Sequence, residues 1–213
     1  MTDTLNQRSD SKEENMNTTK QFNTRKLVLL ALLTAIVVVL QVLAIVTRPL
    51  LPLFSISLVL LPITVGAALI GVYAGGWLGL AFGFAVLISG DAAPFMAIDP
   101  LGTVLVVLLK GVLAGLAAGA VYKLFAAKSK TGAAIVAAAV CPIVNTGIFV
   151  LGSYTFFLPT ITGWGEALGF ASGTAYIFLG MVGVNFLIEL GLNLVLIPVI
   201  VFLIRYGQDK RGN

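Results

Sequence analysis

From Ser55 to Ser89 the chain carries no charged side chain. At ~1.5 Å per residue a single helix of that length would far exceed the ~30 Å hydrocarbon core of a bilayer, so the run has to fold back on itself. "GVYAGG" (Gly71 to Gly76) is where a break fits, and it leaves two short apolar helices. Hydrophobic residues make up 59% of the chain and charged residues 10%, with no histidine, so lipid rather than water solvates most of it. The apolar runs are continuous rather than alternating, which selects helices as the spanning form.

Four further runs supply the remaining helices: Leu27 to Val46, Leu101 to Phe125, Gly132 to Phe157 and Tyr176 to Ile204. The expectation is an all-α polytopic membrane protein with six transmembrane helices. Residues 1–24 read as a disordered tail, 25–206 as the membrane domain and 207–213 as a second tail. The run from Leu27 is too long for a signal-peptide core and has no small-residue cleavage site after it. Basic residues gather up to Lys26, between Lys123 and Lys130, and from Arg205 to Arg211, whereas the other side has Arg48 alone. That bias places both termini in the cytoplasm of a multi-pass cell-membrane protein. Cys141 is the single cysteine, so no disulfide is available within the chain.

Gly75, Gly79 and Gly83 recur every four residues, as do Gly111, Gly115 and Gly119, giving two helices a flat face for close contact. Polar groups inside the apolar runs say more, because each is costly there unless it is paired or faces a cavity. Lys110 and Glu189 fall at similar depths in the fourth and sixth helices. They read either as a structural ion pair or as groups that also face a ligand. Asn185, Glu189 and Asn193 are four apart and share one face. Asn145 and Thr146 follow Pro142, whose ring is expected to kink the fifth helix and turn the Asn145 amide inward. There the amide serves as interhelical glue or as a donor and acceptor for a polar ligand.

"TRPLLPLFS" (Thr47 to Ser55) and "GDAAPFMAIDP" (Gly90 to Pro100) are proline-punctuated yet carry Leu, Phe and Met. They read as lids over a bound molecule or as caps dipping into the interface, with Arg48, Pro49, Phe54, Pro94, Met96 and Asp99 as the gating residues. The chain has no histidine or cysteine cluster for a metal, no phosphate-binding loop and no Ser-His pair, so neither enzyme activity nor a cofactor is expected. A protein of this kind binds and hands over a molecule with partners, works as an oligomer, or is a scaffold.

The size, the helix count, the Ala31/Ala35 pair in "ALLTA", the glycine-rich second and third helices and above all "CPIVNTGIFVLGSYTFF" carry a resemblance. The chain resembles the substrate-binding S components of energy-coupling factor (ECF) transporters, vitamin-uptake ABC systems of prokaryotes. What the resemblance implies is capture of a vitamin from outside, followed by docking on a module of one transmembrane coupling protein and two ATPases. Toppling in the membrane would then release the vitamin inside. It implies that Asn145 lies in the vitamin pocket and that Ala31 and Ala35 contact the coupling protein. Thr146, Lys110, Glu189, Asn185, Asp91, Phe95 and Tyr154 complete the candidate substrate-binding set. "GDAAPFMAIDP" and "NFLIELGLNLVL" look like the cobalamin-transporting branch, with pantothenate and folate as alternatives; "LK" (Leu109, Lys110) departs from the "PR" dipeptide of pantothenate members. A small secondary transporter is the rival reading, and Glu189 is the one acid placed to couple a proton in it.

Overall fold

The computed structural model describes the backbone of residues 2–47 and 58–209, and the side chains of 24–46 and 58–206 other than those of 184, 185, 189, 193, 194, 204 and 205. Helix α1 is Thr2–Thr47. Its apolar part turns Leu33, Val37 and Gln41 inward, a stripe with a spacing of four, and leaves Leu32, Val39 and Leu43 exposed. The polar segment expected to be a disordered tail continues α1 as helix. It contains no glycine or proline, and extending a helix already nucleated by an apolar span needs no new nucleus.

The charge-free run divides where expected. Helix α2 is Leu60–Leu69 and α3 is Val72–Ile88, and the hinge is Gly71 at φ 138°. A side chain would be strained at that angle, so glycine lets the chain reverse there. The reversal is complete, because Gly66 meets Leu78 and Ala67 meets Gly75, a pairing that runs in opposite directions along the two helices.

Helix α4, Ala93–Met96, bridges to α5, Pro100–Phe125. Asp99 caps α5 by accepting the Gly102 N–H at 3.0 Å, and Pro100 occupies the first turn, where its missing N–H is harmless. The two glycine stripes pack on each other. Gly75 meets Gly115 and Gly79 meets Gly111, so α3 and α5 are antiparallel and their backbones touch.

Helix α6, Lys130–Gly152, is capped by Ser129 and buries Ala133, Ala134, Ala137 and Ala138. It lies antiparallel to α5, with Gly152 against Val106 and Phe156 against Gly102. Its helical backbone continues through Pro142. Regularity is lost instead at a π-helical turn, Ser153–Phe157, followed by α7, Leu158–Ala167. Pro159 supplies a reason: it has no N–H for the Thr155 carbonyl, and a wider turn absorbs the defect. The helical stretch therefore runs ten residues beyond the expected end at Phe157.

The last expected helix is also composite: α8 Gly173–Ala175, a π segment Tyr176–Val182, α9 Gly183–Val195 and α10 Ile197–Asp209. Leu196 interrupts it, two residues before a proline, Pro198. Backbone bonds from Leu196 N to Leu192 O (2.9 Å) and from Ile200 N to Leu196 O (3.0 Å) carry the chain across.

The described residues form helices and turns and no strand, and the protein is all-α. Four helical stretches are long and apolar enough to cross a membrane: Thr24–Val46, Pro100–Phe125, Lys130–Ala167 and Gly173–Leu192. Helices α2 and α3 are apolar but shorter, at 10 and 17 residues. Two packed clusters result. The larger joins α1, α2, α3, α5, α6 and α10, and the smaller gathers Val106, Phe157, Ile161, Ile177 and Val182.

Candidate functional site

Along α6, Cys141 and Val144 belong to the larger cluster and Phe149 to the smaller one, and Asn145 falls between them. Its side chain is only 8% exposed. The amide oxygen Oδ1 has no hydrogen-bond partner among the described residues. An unpartnered buried polar atom costs about 1–3 kcal/mol, so a position of this kind calls for a ligand or a bridging group to complete it.

One turn further along α6 lies Phe149, and across the antiparallel contact with α5 lies Lys110. The Lys110 ammonium sits 5.4 Å from the Phe149 ring centre and 5.7 Å from that of Phe82 on α3. Two ring faces stabilise a cation in a half-buried position where water is scarce. The expected meeting of Lys110 with Glu189 falls on a side chain outside those described, as do Asn185 and Asn193. Helix α9, which carries all three, packs on α6.

Above Phe149 sits an aromatic cap. Phe95 of α4 lies edge-on to Phe149 at 5.7 Å, at 5.0 Å from Phe157 and at 5.9 Å from Trp164 of α7. Such edge and tilted contacts each stabilise by about 0.5–1.5 kcal/mol beyond burial. In the second proposed lid Phe95 and Ile98 pack against the smaller cluster, whereas Pro94 and Met96 are exposed.

The two aspartates of that loop are engaged elsewhere. Asp99 is the cap of α5. Asp91 accepts a hydrogen bond from Gln41 Nε2 of α1 at 3.3 Å. Tyr154 lies away from Asn145, in the π-helical turn, where its hydroxyl bonds Thr174 Oγ1 at 3.1 Å. Thr146 is half-buried. Arg48, Pro49 and Phe54 lie outside the described residues. Among those described, no three His, Cys, Asp or Glu side chains come together in a metal-binding group.

Ala31 and Ala35 are both exposed, on the side of α1 turned away from Leu33, Val37 and Gln41. Sequence reasoning passed over Gln41, Phe149, Phe157 and Trp164. Gln41 had a signal, since an amide in the middle of the run Leu27 to Val46 needs a partner. The aromatic residues had none, because their meeting depends on how α4, α6 and α7 converge.

Long apolar helices packed around a buried polar position define a helical membrane protein. The family model for the substrate-specific component of ECF transporters matches residues 25–201, and the chain belongs to that family. Comparison with curated proteins and with solved structures returned no match.

Proposed function

We propose that this chain captures a vitamin from outside a prokaryotic cell and delivers it through an ECF module of one coupling protein and two ATPases. Cobalamin is the first substrate we assign, on the likeness of "GDAAPFMAIDP" and "NFLIELGLNLVL" to that branch, with pantothenate and folate next. The single observation that carries a binding role is the buried Asn145 amide, whose Oδ1 lacks a partner among the described residues. One turn along α6 from it, the Phe149 ring carries the Lys110 cation and meets Phe95 edge-on, so polar and apolar parts of a ligand each find a counterpart.

The same proposal takes the protein across the membrane six times, with both termini in the cytoplasm. Supporting it are the antiparallel pairs α2 with α3, α3 with α5 and α5 with α6, together with the basic residues at the termini and at Lys123 to Lys130. The exposed Ala31/Ala35 face of α1 then meets the coupling protein, because small side chains admit a second helix closely.

Purification tests the assignment. The protein should co-purify with an ATPase module or retain a vitamin that mass spectrometry identifies. Recovery of neither, from cells that express the module and are supplied with cobalamin, pantothenate and folate, would count against it.

A further inference from the structure

Residues 90–99 run from the end of α3 to the start of α5, and a carboxylate holds this strap at each end. At the α5 end, Asp99 caps its own helix through Gly102, a bond internal to that turn. At the other end, Asp91 accepts from Gln41 at 3.3 Å, a bond that ties the strap to α1 across 50 residues of sequence. Gln41 is 3% exposed. A buried amide is costly unless it is hydrogen-bonded, and a carboxylate is a stronger acceptor than a neutral group.

The next residue, Ala92, is 5% exposed and packs in the larger cluster. Its carbonyl accepts from Phe95 N at 3.1 Å and Met96 N at 2.9 Å, which builds α4 directly on this anchor. Phe95 then reaches Phe149, Phe157 and Trp164. A short rigid path thus leads from Gln41 to the ring that covers the α6 site.

We propose that Gln41 is a positioning residue for the ligand site: through Asp91 it fixes where Phe95 stands over Phe149, and thereby how long a ligand at Asn145 is retained. Gln41 touches no ligand in this account. The retention part rests on the proposed function, but the placement of Phe95 does not.

Trp164 reports that placement without any ligand. The chain has two tryptophans, so Trp77→Phe leaves Trp164 as the sole tryptophan, read selectively by excitation at the red edge where tyrosine does not absorb. In that background Gln41→Leu puts an apolar side chain of similar size in place of the amide and removes the donor, and Asp91→Ala removes the acceptor from a half-buried turn position. Acrylamide quenching of the purified, ligand-free protein should rise in each variant, and Gln41→Leu should add nothing to the rise that Asp91→Ala gives alone. Dissociation of cobalamin, pantothenate or folate, whichever the wild type retains, should accelerate roughly tenfold with association little changed, as expected for one charge-assisted hydrogen bond. Unchanged quenching in the folded single variants overturns the proposal, and so do strictly additive effects in the double. Quenching tests the strap even in a chain that retains none of these vitamins, so its failure is distinguishable from failure of the proposed function.

Discussion

Gly79 of α3 and Gly111 of α5 face each other so closely that a Cβ on either would strike the carbonyl oxygen of the other. The contact is backbone on backbone, and it recurs one turn away at Gly75 and Gly115. Because α5 also carries Lys110, this contact sets the distance between that cation and the Phe82 ring of α3.

Gly79→Leu should therefore destabilise the ligand-free protein strongly, beyond the ~1–3 kcal/mol usual for overpacking, since the obstacle is backbone that cannot rotate away. Gly163→Ala in α7 is the control, as nothing lies within 4 Å of a Cβ there. It should be neutral or stabilise by about 0.5–1 kcal/mol, the ordinary cost of a helical glycine. Thermal unfolding in detergent compares the two, and equal melting temperatures would mean that α3 and α5 are not in close contact.

The proposed docking face makes a different demand. Replacing Ala31 and Ala35 by Leu should abolish uptake while leaving ligand affinity and melting of the isolated protein unchanged, since both side chains are exposed and opposite the buried stripe of α1. Uptake at the wild-type rate in the double variant would remove this face from the interface.

Lys110 and Glu189 are expected to be coupled. Removing one member of a buried pair commonly costs ~3–5 kcal/mol by stranding the other charge, whereas removing both costs less. Melting of Lys110→Met, Glu189→Gln and the double variant should be clearly non-additive. If the single effects simply sum, the two side chains do not meet.

How far these features were legible depends on whether their cause is local. The hinge at Gly71 and the two glycine stripes follow from spacing and from the length of a charge-free run, and the structure has both. The proline signals were only partly legible. The helix continues through Pro142, while Pro159 and Pro198, which sequence reasoning did not single out, accompany the irregular turns. The bond between Gln41 and Asp91 and the rings around Phe95 join segments far apart in sequence. Periodicity along one helix does not contain such meetings, although an isolated amide in an apolar run marks one end of them.

The most direct measurement is made on Asn145→Leu, with ligand affinity and ligand-free melting determined on one preparation. The substitution keeps the approximate size and removes both hydrogen-bonding functions, so a polar ligand group would be left unsatisfied at a cost of ~1–3 kcal/mol. Affinity for the retained vitamin should fall by roughly five- to 150-fold, at about tenfold per 1.4 kcal/mol. Melting of the ligand-free protein should stay level or rise, because the described structure offers Oδ1 no partner to lose. Unchanged affinity with a lowered melting temperature would contradict the account and make Asn145 a structural tie between helices.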